Sequence, residues 1–292
     1  MKKILFTTLL LNLVPWVGFA QSPISTTDLS SAFFRSSSGL GMAGAYRAVA
    51  DSPQAVLYNP AGMTKNRGSL QAGVDYAYQE ETSSHLYGVS VVDFQTSQQM
   101  AYGLSYHRNN PTIGGISGNV NQTMLAVAYP LGEVLSLGVT GKGYWINLNS
   151  PILQGPRGID MDAAIMVRPF PLLSFGMTGY NLFRGGDVEE YPLMLGMGGA
   201  LNLEPHIKFT ADMVKNFNTT AIKTTNYHMG AQVRMGETAY LRGGFAFDQV
   251  ANNNYYSVGA ALTGPRVDLL FTFSQRLNPT SETYAATLNF KM

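Results

Sequence analysis

The chain of 292 residues contains no cysteine. That excludes disulfide staples, a thiolate nucleophile, an iron–sulfur site and a Cys-anchored lipoprotein. Charge is scarce as well: Asp, Glu, Lys and Arg supply 13% of the residues, and their near balance leaves a formal net charge of +1. A nucleic-acid-binding protein needs a basic stripe that such a chain does not carry. Beyond the first twenty residues no apolar run approaches the length of a transmembrane helix. What is plentiful is glycine, with 31 residues, and tyrosine, with 16, in a chain that is 45% hydrophobic. Few charges with many Gly and Tyr suit a β-rich protein whose surface does not face water throughout.

Residues 1–20 have the layout of a secretory signal peptide. Lys2 and Lys3 give a basic start, an apolar run follows from Ile4 to Val17, and Gly18-Phe19-Ala20 offers small residues where a signal peptidase reads. Asn12 and Pro15 interrupt the run, which argues against an uncleaved anchor. Cleavage is expected after Ala20. An exported chain without transmembrane helices can enter a bilayer only as a closed barrel, and the expected location of such a barrel is the bacterial outer membrane, with lipid around it.

From Ser69 onward the sequence alternates. Ile207, Phe209, Ala211 and Met213 interleave with Lys208, Thr210 and Asp212; Val267, Leu269, Phe271 and Phe273 interleave with Asp268, Thr272 and Ser274. Successive strand side chains point to opposite faces, so each segment has one greasy and one polar side. About 14 such segments can be counted: near 69–78, 84–95, 100–108, 119–130, 134–148, 158–169, 172–181, 193–203, 206–214, 225–235, 238–247, 254–262, 266–274 and 283–291. The spacers sort into short ones (96–99, 131–133, 170–171, 204–205, 236–237, 263–265) and longer ones (109–118, 149–157, 182–192, 215–224, 248–253, 275–282). After the first hairpin they alternate strictly, as short periplasmic turns and longer external loops do. Aromatic pairs near segment ends, such as Tyr76 and Tyr78 or Tyr144 and Trp145, fit interfacial girdles. The fold class is therefore an all-β transmembrane antiparallel barrel.

Ahead of the barrel, residues 38–63 form a Gly/Ala-rich stretch with Gly39, Gly41 and Gly44, then Ala50-Asp51, then Asn59-Pro60-Ala61. This segment resembles the N-terminal plug of the FadL-type outer-membrane transporters. Residues 135–142 and 158–181, ending Gly179-Tyr180-Asn181, resemble the PorV-like branch of the same superfamily, which serves type IX secretion. The resemblance implies a plug over 21–68 inside a barrel over 69–292. It implies passive, plug-gated passage of small hydrophobic, fatty-acid-like molecules. The PorV-like alternative is a non-transporting scaffold or cargo shuttle whose partners are secretion-system proteins. External loops of no more than about a dozen residues fit that alternative as well.

Read physically, the plug glycines permit close backbone approach. Pro53 and Pro60 limit regular structure, a helix over roughly 42–50 would fit, and Asn59 would turn the chain by bonding locally. Gly39-x-Gly41-x-x-Gly44 satisfies a dinucleotide fingerprint in letters alone, because the strand and βαβ context that motif requires are missing. No catalytic residues, metal ligands or cofactor are expected. Ser105 and His107 share a face, but two strand steps put them roughly 7 Å apart, and no orienting Asp or Asn is evident. The four His residues (85, 107, 206 and 228) lack metal-site spacing, and His228 reads as a polar residue facing the lumen. Candidate lumen-lining charges are Asp75, Lys142, Asp160, Asp162, Arg168, Lys208, Asp212, Arg234, Arg242 and Asp268. They either brace the plug against the wall, since charges inside a barrel usually pair, or mark a solute route. An apolar pocket would draw on Leu125, Val127, Tyr129 and Leu270.

Overall fold

The alternating segments become one wall. The computed structural model describes residues 36–97, 99–113, 116–149, 155, 157–183, 185–186, 192–203, 206–217, 224–249 and 254–292. The expected leader at 1–20 with its cleavage site, and residues 21–35 of the expected plug, lie outside them. Fourteen long strands run in chain order: β1 (Leu70–Gln79), β2 (Ser84–Asp93), β3 (Ala101–Asn109), β4 (Ile116–Leu131), β5 (Leu135–Leu148), β6 (Arg157–Phe170) and β7 (Leu173–Tyr180). The second half comprises β8 (Met194–Leu203), β9 (Ile207–Asn216), β10 (Thr225–Met235), β11 (Ala239–Phe247), β12 (Tyr255–Thr263), β13 (Val267–Leu277) and β14 (Thr280–Lys291). Each pairs antiparallel with its sequence neighbours, and β1 pairs with β14 from Gln71↔Lys291 to Gln79↔Thr283, so the sheet closes on itself. Closure removes every sheet edge, the condition for crossing hydrocarbon with strands.

Turn chemistry agrees with the short end. Gly132 and Gly236 sit at φ +78° and +69° in the turns after β4 and β10, a left-handed conformation open to glycine without strain. Two spacers depart from the sequence reading. Within 109–118, Thr112–Ile113 pairs with Ile116 and Ser117, where β4 already begins. The span 275–282 is not a loop: β13 runs to Leu277, β14 starts at Thr280, and only Asn278-Pro279 lies between. Gln275 pairs with Glu282 and Arg276 with Ser281, so polar residues that looked like loop extend the ladder.

The two faces of the wall differ completely. Val74, Val89, Leu104, Val139, Met229, Val258 and Phe271 point outward and are exposed, whereas their strand neighbours Asp75, Ser90, Ser105, Thr140 and Thr272 are buried inward. An apolar band of this extent would be untenable in water and belongs against lipid.

Inside the wall lies the segment 36–66. It forms α1 (Ser37–Leu40), α2 (Ala55–Tyr58) and a 3₁₀ turn over Pro60–Lys65. The expected helix over 42–50 is absent. Ala43 and Gly44 take φ of +50° and +87°, which ends any helix there, and turns carry the chain onward. Met42, Tyr46, Val49, Val56, Leu57, Tyr58 and Met63 are buried with Phe94, Met124 and Ala126 of the wall and its turns in one core. Tyr46 meets Tyr58 edge to face at a centroid distance of 5.3 Å, an arrangement aromatic quadrupoles favour.

Candidate functional site

The inner segment rests on glycines. Adding a Cβ at Gly138 would bring it 2.4 Å from the Ala61 backbone nitrogen; at Gly176, 2.4 Å from the Arg47 carbonyl oxygen; at Gly244, 2.6 Å from the Met42 carbonyl carbon. At Gly196 it would strike the Arg47 guanidinium at 2.2 Å, and at Gly230 the Met42 Cβ at 2.6 Å. All five belong to wall strands and face inward. Real atoms do not approach so closely, so each missing side chain is space that the segment occupies.

Polar groups then fix its position. Asp212 Oδ2 accepts from the backbone N–H groups of Tyr46 (3.1 Å) and Arg47 (3.0 Å) and from the Arg47 guanidinium (3.0 Å). Both side chains of that ion pair are almost fully buried. Thr178 Oγ1 and the Tyr180 hydroxyl donate to the Tyr58 carbonyl at 3.0 and 2.6 Å. Gln54 Nε2 donates to Asp75 at 3.1 Å and to Asn289 at 3.0 Å. His228 Nδ1 donates to the Ala43 carbonyl at 2.8 Å, beside Gly44. Ser37 N donates to Thr287 Oγ1 at 3.0 Å, and Ala43 N to Ser257 Oγ at 2.9 Å.

Asn59 works at both ends of its amide. Its Oδ1 accepts from Ala61 N at 3.1 Å, capping the 3₁₀ turn that Pro60 begins, while Nδ2 donates to the carbonyls of Arg47 (3.0 Å) and Ile165 (3.2 Å). One side chain thus ties two arms of the segment to β6. Of the remaining motif residues, Gly39 lies under the Tyr58 ring, Gly41 lies against Thr272 and Arg242, and Asp51 pairs with Lys65 at 2.6 Å. Burial alone would raise the Asp51 pKa, but Lys65 and Lys208 outweigh it and hold the carboxyl far below its ordinary value.

The charged candidates separate into three groups. Asp75 and Asp212 bond to the inner segment itself. Lys142 and Asp162 pair at 2.6 Å, buried, with Asn181 bonding to both, and Asp160 accepts from Met161 N at 2.6 Å and Phe183 N at 3.1 Å. These brace wall to wall. Lys208, Arg234, Arg242 and Asp268 border a cavity of about 290 Å³ between the segment and β9–β14, with Lys65, Asp51 and Leu270. Arg242 Nε donates to Gln232 Oε1 at 2.8 Å, and Asp268 is paired with Lys291 at 2.7 Å. Arg168 borders a second cavity, of about 430 Å³, with Ala48, Val49, Val134, Phe170 and Leu173. Val49 and Lys65 belong to both. The two cavities open among the short turns, around His206 and Pro171, while His107, Asn109, Gln122 and Ile146 are buried toward the longer loops.

Two expectations fail here. Ser105 Oγ and His107 Nε2 are in contact at 2.5 Å, because the imidazole reaches back along its strand and closes the gap between their Cα atoms. His107 Nδ1 nevertheless has no partner among the described residues, so the orienting third group of a triad is missing. Leu125, Val127 and Tyr129 do not line a pocket: all three are exposed on the outer face. Only Leu270 of that set borders a cavity. Among the described residues no group of three or more His, Asp or Glu is arranged to hold a metal ion.

Arg47, Gln54 and the wall glycines escaped sequence reasoning. Arg47 is a single charge in an apolar run, and wall glycines look like breaks in alternation; neither carries a local signal of its partner.

No family model matches the chain, and no curated protein matches it by sequence. Solved structures do. A CymD monoaromatic hydrocarbon channel superposes with a TM-score of 0.67 at 14% identity, covering 88% of this chain and 96% of that one. The fold is FadL-like. The toluene transporter TodX of P. putida gives 0.63 at 9% identity over 88% and 97%, and a FadL homologue of Pseudomonas aeruginosa gives 0.59 at 10% over 88% and 97%. This chain is thus an outer-membrane-type barrel of the FadL-like architecture, and the structures it resembles are channels.

Proposed function

We propose that the protein passes small hydrophobic molecules, fatty-acid-like ones included, across the outer membrane by passive diffusion, with residues 36–66 acting as the plug. The observation that carries this reading is the pair of cavities flanking the plug at Val49 and Lys65, inside a wall shaped like known hydrocarbon channels. The larger cavity has apolar walls in Val49, Val134, Phe170 and Leu173, suited to a greasy solute. The smaller adds Lys65, Lys208, Arg234 and Arg242 against Asp51 and Asp268. That excess of cations favours an acid head group over a bare hydrocarbon. Within residues 48–52, Ala48 and Val49 border the larger space and Val49, Asp51 and Ser52 the smaller; this stretch is the part of the plug that moves, while the Arg47–Asp212 anchor stays seated.

The test is uptake by intact cells with and without the protein, using radiolabelled decanoate and toluene. Several-fold faster decanoate entry with the protein is the expected result, and equal rates would refute transport. Mass spectrometry of the gently extracted barrel adds a second arm. A stoichiometric secretion-system partner with no apolar ligand would put a scaffold in place of the channel.

A further inference from the structure

The outer wall carries an ordered row unrelated to the lumen. Tyr76, Tyr87, Arg108, Asn121, Trp145 and Arg157, one from each of β1–β6, are joined by successive cross-strand pairings. On the periplasmic side of this row the same strands expose Val74, Val89, Leu104 and Ile159. On the side of the longer loops come His85, Asn119 and Asn147. The row therefore marks the edge where hydrocarbon gives way to head groups.

It is built rather than scattered. Arg108 Nε donates to Asn110 Oδ1 at 3.1 Å and a terminal guanidinium nitrogen donates to Asn119 Oδ1 at 2.9 Å. Both partners are neutral, so they orient the guanidinium without cancelling its charge. The Tyr106 hydroxyl donates to Asn121 Oδ1 at 2.9 Å, and the Tyr106 and Trp145 rings lie 6.3 Å apart. Tyr76 and Tyr87 lie 5.6 Å apart. Arg108 and Arg157 are both exposed. Three strand spacings separate them, roughly 14 Å. Among the described residues, the outward positions of β2–β6 carry one carboxylate, Asp93, at the periplasmic end of β2.

We propose that this row is a binding site for the phosphorylated glycolipid of the outer leaflet. The arginine forks would take its phosphates, which they match bidentately, and the Tyr and Trp faces would lie along its sugar and upper acyl chains. A free phosphate ion would have no use for the aromatic faces, and a soluble protein could not reach the edge of the apolar band. The site rests on the wall alone and stands whether or not the lumen transports anything.

The experiment is native mass spectrometry of the barrel extracted in mild detergent, counting bound phosphorylated glycolipid. Wild type should retain it at about one per barrel. Arg108→Gln with Arg157→Gln should retain at least tenfold less. Lys215→Gln, which removes an outward cation beside Phe217 on β9, should match wild type. Delipidated wild-type protein should rebind a bisphosphorylated, acylated glucosamine disaccharide in micelles, but not the same lipid after phosphatase treatment. Wild-type retention in the double variant, or equal rebinding of the phosphatase-treated lipid, would overturn the proposal. Heat-modifiable mobility reports assembly; if the double variant does not assemble, Arg108→Gln alone is read by the same criterion, and the rebinding arm needs no variant.

Discussion

The two faces of the wall obey different rules. The outer face needs only to be apolar and of the right height, so Val, Leu, Phe and Met stand there almost interchangeably. The inner face must fit one segment at named positions: a glycine under Ala61, another under Arg47, a carboxylate where two backbone N–H groups converge. Lipid is a forgiving partner, and a folded segment is not. Substitutions of similar size should therefore cost more inside than outside, and for different reasons.

The largest effect is expected from Gly138→Leu. Its Cβ alone would enter the Ala61 backbone, and no rotamer relieves a backbone clash. Loss of the compact heat-modifiable form, or a barrel that leaks ions in liposomes because the inner segment cannot seat, is the expected outcome; a tight barrel of normal stability would show that the segment does not rest there. Next comes Asp212→Ala, which strands the Arg47 charge in the interior. Removing one partner of a buried pair costs about 3–5 kcal/mol, measurable as a lowered urea midpoint. Adding Arg47→Met should recover much of the loss, and no recovery would deny the pairing.

On the outer face, Phe271→Arg should cost about 2–4 kcal/mol of insertion free energy, read by folding into vesicles. Normal insertion would reverse the assigned facing. Back inside, Asn59→Ala removes the cap on Ala61 and the bonds to Arg47 and Ile165. A loss of about 1–2 kcal/mol, with a raised solute leak, is expected; unchanged values for both would leave Asn59 as a simple turn residue. The smallest effect belongs to Asp51. Its folded pKa is depressed, so its contribution is present above the unfolded carboxylate value of about 4 and is lost as pH falls through the folded value. Both side chains of the Asp51–Lys65 pair are partly exposed, which limits the contribution to about 1 kcal/mol or less. Asp51→Asn should lower the melting midpoint at neutral pH, and the difference should fade on acidification below about pH 4. A difference independent of pH would remove the ionic explanation.

The same asymmetry decided what the sequence made legible. Alternation is a local signal, so strand count, most turns and the facing of most strands could be read from runs such as 207–213 and 267–274; Leu125, Val127 and Tyr129, expected at a pocket, face outward instead. It failed where polar residues sit in a strand that ends in a tight turn, as at Gln275, Arg276 and Glu282. Within the inner segment, local rules located Asn59-Pro60 as a turn but put a helix at 42–50, because nothing local reveals that Ala43 must swing its carbonyl to His228 and Tyr255. The anchors of Arg47 and Gln54 lie 165 and 235 residues away, at Asp212 and Asn289. A side chain chosen for a distant partner leaves no period to detect.

The seam between β1 and β14 has a consequence in time. Leu70 and Met292 exchange backbone hydrogen bonds at 3.2 and 2.8 Å, joining the two ends of the wall across the whole length between them. Contacts of such sequence separation carry the largest loop-closure cost, which argues for closure late in folding. Until then the sheet is an open sleeve. The segment whose exit lies at that seam can be laid in sideways, and need never be threaded through a finished ring.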